Sequence, residues 1–72
     1  MSLKLEEWRR LKKYSIRELA DKCDVHFNTY MRWKKHPERI PIKYAKRLAE
    51  VFGVPIESIV FEVEVEESRK NA

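Results

Sequence analysis

Two amphipathic helical patterns follow each other closely in the middle of the chain. The first begins at Ile16, because Ser15 and Glu18 have the spacing of a capping box, in which each side chain binds a backbone amide at the helix start. Apolar residues then recur at helical spacing along one face, at Ile16, Leu19, Ala20 and Cys23. This pattern predicts a helix over about residues 16–23 that packs one face inward.

The second pattern predicts a helix over about residues 26–35. A rotation of about 100° per residue places His26, Tyr30 and Trp33 on one face, which suits a core. The opposite face combines an amide, a guanidinium, an ammonium and two large apolar groups: Phe27, Asn28, Met31, Arg32 and Lys35. Such a mixture favours a docked partner over open water, and it is the mixture that reads base edges in the major groove of DNA. The alternative is a solvated charged face with two isolated hydrophobic residues.

Weaker patterns on both sides predict three further helices. Leu5, Trp8 and Leu11 form the apolar stripe of a first helix over about residues 3–13. A loop over residues 36–40 precedes a fourth helix over residues 42–52, which Gly53 ends. The inward positions of this fourth helix are Ile42, Ala45, Leu48, Ala49 and Phe52. A short fifth helix over residues 56–60 closes the core, so we expect a compact all-α domain of five helices.

From Phe61 the apolar period changes to two. Phe61, Val63 and Val65 alternate with glutamates, which is typical of a strand. A strand here must pair with another chain, fold back on a neighbouring segment or stay frayed, and a frayed acidic tail is an equally weighted alternative. We therefore divide the chain into a domain over residues 1–60 and an acidic strand or tail over residues 61–72. Paired antiparallel between two chains, the three apolar residues would form the seam of a homodimer.

The charge is distributed unevenly along the 72 residues, whose net charge is +4. Residues 26–47 contain a single acid, Glu38, against the basic residues Arg32, Lys34, Lys35, Arg39, Lys43, Lys46 and Arg47. Such a stretch attracts a polyanion, either a nucleic acid or an anionic membrane surface. No apolar run approaches membrane-spanning length and no signal peptide is visible, so we expect a cytoplasmic protein.

The sequence gives little support for a metal site or for a catalytic site. Cys23 is the only cysteine, which excludes an intramolecular disulfide, and its position on the inward face favours a packing role. Cys23 and His26 have the spacing of half a zinc site, but His36 is the only other histidine and the set of four ligands stays incomplete. The chain has no glycine-rich phosphate loop and no nucleophile paired with a base. We expect a protein without catalytic activity, metal or cofactor.

The chain resembles the helix-turn-helix family of the lambda Cro and phage repressor proteins, also called the xenobiotic-response-element family. The resemblance covers about residues 5–60 and is carried by YSIRELADK at residues 14–22, VHFNTYMRW at 25–33 and LAEVFGVPIESI at 48–59. It implies a lambda-repressor-like fold, in which the helix over residues 16–23 crosses the DNA backbone and the helix over residues 26–35 is the recognition helix.

Three positions depart from the pattern of this family. Asp24 stands where the tight turn usually has glycine, and it tolerates a left-handed backbone better than most residues. Ile16 replaces a glutamine that often touches DNA. Lys34 replaces a glutamate that commonly pairs with an arginine of the first helix, so we expect Arg9 to face a phosphate or to find another acid.

The resemblance implies a sequence-specific regulator of transcription, expected to be a repressor of phage or mobile-element type. We expect it to bind a pseudo-palindromic double-stranded DNA operator as a homodimer. The residues expected to read bases are Phe27, Asn28, Met31 and Arg32. The residues expected to hold phosphates are Ser15, Arg17, Lys35, Arg39 and Lys43. His26 either touches a phosphate or packs at the helix start.

Two other functions remain open at this stage. One is an antitoxin-like protein-binding module, whose acidic strand would cap a basic toxin. The other is a recombination accessory factor that bends DNA through phosphate contacts and has weak sequence preference.

Overall fold

The computed structural model describes residues 1–62, which form four α-helices, two single 3₁₀ turns and one pair of short strands. The helices are α1 (Leu5–Leu11), α2 (Ile16–Lys22), α3 (Phe27–Lys35) and α4 (Ile42–Phe52). The 3₁₀ turns cover Pro37–Arg39 and Ile56–Ser58. The strands β1 (Leu3–Lys4) and β2 (Ile59–Val60) pair in parallel, with Leu3 opposite Ile59 and Lys4 opposite Val60.

The starts of α2 and α3 are fixed by side chains that bind free backbone amides. The predicted capping box of α2 is confirmed: the Glu18 amide donates to Ser15 Oγ at 3.0 Å, and the Ser15 amide donates to Glu18 Oε1 at 2.8 Å. At α3 the cap is His26, whose Nδ1 accepts from the Asn28 amide at 3.1 Å. His26 is exposed, so its predicted place on the inward face is wrong. The reason is that a cap residue lies outside the first helical turn and does not follow the helical rotation.

Three helix ends use a left-handed residue. Asp24, in the turn between α2 and α3, has φ 60°, which is the conformation expected at this glycine-favouring position. Gly53 ends α4 as predicted, with φ 72° and its amide bonded to the carbonyl of Ala49 at 2.8 Å. Lys13 closes α1 with φ 63°, which the sequence pattern did not predict.

The core lies between the four helices and the strand pair. Trp33 packs against Tyr30 edge to face at a ring-centroid distance of 6.1 Å and against Tyr44 at 5.3 Å, while Trp8 stacks on Phe52 at 6.2 Å. The other buried members are Leu5, Leu19, Ala20, Cys23, Ala45, Leu48, Ala49 and Ile59.

Two residues predicted to face this core do not. Leu11 is 55% exposed and Ile42 is 65% exposed, so both inward assignments are wrong. Leu11 is the last residue of α1 and Ile42 is the first residue of α4. Both helices reach beyond the edge of the core at these ends, where helical periodicity no longer determines burial.

The predicted fifth helix is replaced by the turn Ile56–Ser58 and strand β2. The indole Nε1 of Trp8 donates to the carbonyl of Ser58 at 2.8 Å and holds this turn against α1. The following residues extend because β1 supplies a partner for them, so the extended segment begins at Ile59 rather than at Phe61. Phe61 is half-buried and packs against the core. Val63 and Val65 of the predicted seam lie outside the described residues.

Candidate nucleic-acid interface

Helices α2 and α3 form the centre of the candidate interface. They are joined by a short turn over residues 23–26, and each buries one face in the shared core. On α3 the buried face carries Tyr30, which is 0% exposed, and Trp33, which is 5% exposed. The predicted assignment of these two aromatic residues to the core is therefore confirmed. The exposed residues of α3 are Asn28, Met31, Arg32, Lys34 and Lys35.

The outward face of α3 presents one amide, one thioether and several cations. Asn28, Arg32 and Lys35 are exposed, and Met31 is 38% exposed. Together with Lys34, these side chains line an open groove of about 410 Å³ along the helix. Hydrogen-bonding and apolar groups thus alternate along one surface of a single helix, which is the composition that contact with base edges requires.

The buried side of α3 is tied to α1 through Glu6. The hydroxyl of Tyr30 donates to Glu6 Oε2 at 2.6 Å, and the Arg9 guanidinium pairs with Glu6 Oε1 at 2.8 Å. Arg9 also donates to the carbonyl of Tyr14 at 2.8 Å, just before α2. Of the two outcomes expected for Arg9, pairing with another acid is the one found. Burial disfavours the charged form of Glu6, but the hydrogen bonds from Arg9 and Tyr30 outweigh it, so the pKa of Glu6 lies below its ordinary value.

Four of the residues predicted to hold phosphates lie at or near the ends of α2, α3, α4 and the Pro37–Arg39 turn. Ser15 is the cap of α2, and its Oγ accepts the Glu18 amide while its O–H stays free to donate. Arg39 ends the Pro37–Arg39 turn, 3.8 Å from Glu38, and Lys43 lies in the first turn of α4, 5.1 Å from the ring centroid of Tyr44. Lys35 ends α3. All of these side chains are exposed, so each is accessible to an external anion.

Arg17 and Phe27 form a contact that the sequence did not predict. Phe27 is half-buried, and the guanidinium carbon of Arg17 lies 4.8 Å from the centroid of its ring. The contact joins the first turn of α2 to the first residue of α3. Periodicity within each helix gave no signal for it, because it depends on how the two helices are placed against each other.

Cys23 is buried and does not belong to this surface. The side chain is 2% exposed, and burial raises the pKa of its thiol to about 11. The thiol therefore stays protonated at neutral pH, which disfavours both nucleophilic attack and metal binding. Among residues 1–62 the structure brings together no group of three or more His, Cys, Asp or Glu side chains that could hold a metal ion.

Comparison with known proteins gives one match. A family model described as helix-turn-helix matches residues 5–59, from the start of α1 to the first residue of β2. Neither the search of curated proteins nor the search of solved structures gave a match. Within the part of the chain that the structure describes, no helix has the length and apolar character needed to cross a membrane.

Proposed function

Because the chain belongs to the helix-turn-helix family of the Cro and phage repressor proteins, we propose that it is a sequence-specific DNA-binding repressor of transcription, of phage or mobile-element type. The family is one of DNA-binding regulators of transcription. The observation that carries the proposal for this chain is the separation of the two faces of α3. Its aromatic face is fixed in the core and its polar face is free to enter a groove.

In this proposal α3 is the recognition helix and lies in the major groove. Asn28 forms two hydrogen bonds to an adenine, and Arg32 forms two to a guanine. Met31, between them on the exposed face, contacts the methyl group of a thymine. The side chains that carry base preference are thus held on one rigid element, whose orientation is set by the contacts of Tyr30 with Glu6 and with Trp33.

Phosphate contacts supply most of the affinity. The exposed residues that hold the two DNA strands without reading sequence are Ser15, Lys35, Arg39 and Lys43. Lys35 is the last residue of the recognition helix, and the other three lie before or after it in the chain. Arg17 differs from this group because its guanidinium lies over the ring of Phe27.

The protein acts as a homodimer on a pseudo-palindromic operator. One recognition helix reads only a short half-site, and a two-fold dimer presents two such helices to half-sites about one helical turn, ~34 Å, apart. The alternation of Phe61, Val63 and Val65 with glutamates supports a seam at the C-terminal end of the chain. Because Phe61 packs against the core of its own chain, Val63 and Val65 are the seam residues in this proposal. A dimer bound across a promoter represses by occupying the site of the polymerase.

Selection of bound sites from random duplex DNA tests the proposal. We expect an inverted repeat to be enriched, with the centres of its halves about one helical turn apart. Equal recovery of all duplexes, together with bending in a circular-permutation assay, would instead favour an architectural DNA-bending factor. Absence of duplex binding at low salt would overturn the proposal. Recovery of one small basic protein in stoichiometric amount from the source cells would favour the antitoxin-like alternative.

A further inference from the structure

The contact between Arg17 and Phe27 is the closest approach of a cation to an aromatic ring within residues 1–62. The other such contacts are those of Lys12 with Trp8 at 6.0 Å, Lys22 with Tyr14 at 5.6 Å and Lys43 with Tyr44 at 5.1 Å, against 4.8 Å for Arg17 with Phe27. A guanidinium over a ring face is attracted by the quadrupole of the ring and stacks on it through its own flat face. The Phe27 ring therefore restrains the position of the Arg17 guanidinium.

The hydrogen-bond donors of Arg17 are unused in the described part of the chain. Arg9 is held by Glu6 and the carbonyl of Tyr14, and Arg47 by the carbonyl of Lys22 and by Glu50. Arg39 has only a long ion pair of 3.8 Å with Glu38, and within residues 1–62 Arg10 and Arg32 resemble Arg17 in having no hydrogen bond or ion pair. Within residues 1–62 the structure gives Arg17 no hydrogen bond and no ion pair, and its side chain is exposed. A guanidinium has five N–H donors, and its contact with the ring uses none of them as a hydrogen bond to a protein acceptor, so they are open to a ligand.

Phe27 places these donors at the start of the proposed recognition helix. It is the first residue of α3 and the immediate neighbour of Asn28. In helix-turn-helix complexes the N-terminal residues of the recognition helix are the ones that contact base edges. Arg17 belongs to α2 by sequence, but its contact with Phe27 brings it to this end of α3.

We infer that Arg17, oriented by the ring of Phe27, reads a guanine in each half-site, and that Phe27 acts as the positioning residue of Arg17. This inference rests on the proposed function and deepens it. Bidentate pairing requires the guanidinium to lie in the plane of the base and to face O6 and N7. A side chain already oriented by stacking loses less conformational entropy on binding than a free one. The arrangement removes Phe27 from the direct thymine contacts and Arg17 from the phosphate contacts that the sequence predicted.

The test measures binding of the wild-type protein and of four variants to the selected operator and to its single-base-pair substitutions. We expect Arg17→Ala to lower the preference for guanine at one position of each half-site by roughly 5- to 150-fold, with the other positions unchanged. Arg17→Lys keeps the charge and loses the planar group, so it retains overall affinity and loses most of that preference. Phe27→Leu loses the preference at the same position, whereas Phe27→Tyr, which keeps the ring, retains it.

The double variant Arg17→Ala/Phe27→Leu separates positioning from direct contact. If Phe27 acts only through Arg17, the preference for guanine at that position is no lower in the double variant than in Arg17→Ala alone. Arg10→Ala is the matched control, because it removes an exposed guanidinium from α1. This variant should leave the base preference unchanged. Thermal unfolding of each free variant shows that the fold is retained.

Different outcomes separate this inference from the function on which it rests. A wild-type protein that prefers no site overturns the proposed function and this inference together. A wild-type protein that prefers a site, combined with an Arg17→Ala variant that weakens all sequences equally, overturns the inference alone and assigns Arg17 to a phosphate. Loss of preference at a different position in Phe27→Leu also overturns it, because Phe27 would then contact a base itself.

Discussion

Tyr30 and Glu6 are joined by a hydrogen bond of 2.6 Å between the phenol oxygen and Oε2, which ties the middle of α3 to α1 across 24 positions of the chain. The Arg9 guanidinium donates to both carboxylate oxygens of Glu6, most closely to Oε1 at 2.8 Å. Burial raises the pKa of Tyr30, and its hydrogen bond to Glu6 adds to that effect, so the phenol remains a donor at neutral pH. An acid on the first helix thus anchors α3 by its core-facing side and leaves the opposite face unobstructed.

Tyr30→Phe should destabilise the domain by about 1.5–3 kcal/mol, because it removes a hydrogen bond to a charged group and leaves the ring packing in place. Denaturation in urea measures the change. Tyr44→Phe is the matched control: Tyr44 packs on Trp33 but its hydroxyl forms no hydrogen bond within residues 1–62, so we expect a change within about 0.5 kcal/mol. Equal losses in the two variants would show that the bond to Glu6 contributes nothing.

The stability of the domain should fall in acid through protonation of Glu6. Its folded-state pKa lies below the ordinary value of 4.5, so its stabilising contribution is complete above that value and is lost as the pH falls through the folded-state pKa. Glu6→Gln should be less stable than the wild type at neutral pH and should lose less stability on acidification. Thermal unfolding from pH 7 to pH 3 tests this. An equally steep loss in Glu6→Gln would assign the acid sensitivity to other carboxylates.

Replacing side chains by alanine should have different effects on the two faces of α3. Asn28→Ala and Arg32→Ala should each weaken binding to the preferred site by about 1–3 kcal/mol and relax the choice of one base, with the fold retained because both side chains are exposed. Trp33→Ala should cost about 3–5 kcal/mol of folding free energy, since it removes a buried ring from a small core, and this is enough to unfold the domain. Quantitative DNA binding and circular dichroism separate the two effects. A folded Trp33→Ala protein that has lost DNA binding would reverse the assignment.

Local sequence signals predicted the elements around α2 and α3 well. The capping box of Ser15 and the end of α4 at Gly53 each depend on residues close together in the chain, and both are found. The left-handed turn at Asp24, which the family resemblance implies, is found as well. The signals failed where position depends on distant segments. β2 is extended because Leu3 and Lys4 pair with it, and no pattern within residues 56–60 carries that information.

The same limit applies to the candidate interface. Periodicity correctly placed Tyr30 and Trp33 inside and Asn28 and Arg32 outside, because rotation along one helix determines those directions. It could not show that Arg17 lies over Phe27, since this contact depends on the relative placement of two helices.

Lys43 should contribute to DNA affinity without contributing to base preference. Lys43→Ala should weaken binding to specific and nonspecific duplexes alike, and it should flatten the dependence of log K on log salt concentration by about one unit. Binding titrations at several salt concentrations measure this slope. Lys12→Ala removes the same charge from the residue that follows α1 and should leave the slope unchanged. A slope near zero in the wild-type protein would contradict DNA binding through phosphates altogether.

The C-terminal segment should form the seam of the dimer. Phe61 packs against the core of its own chain, so a truncation that tests the seam must keep it and end after Glu62. We expect sedimentation to show that this shortened protein is monomeric at concentrations where the full chain dimerises. Val63→Ser/Val65→Ser in the full chain should have the same effect, because the seam would lose the apolar side chains that it buries.

The four glutamates of this segment give a second, independent test of the dimer. Glu62, Glu64, Glu66 and Glu67 would repel their copies in the partner chain, and salt screens such repulsion. Added salt should therefore strengthen the dimer while it weakens DNA binding, and Glu64→Gln/Glu66→Gln should strengthen the dimer most at low salt. A protein truncated after Glu62 that dimerises as well as the full chain would exclude the tail as the seam and would leave residues 56–60 as the contact to test next.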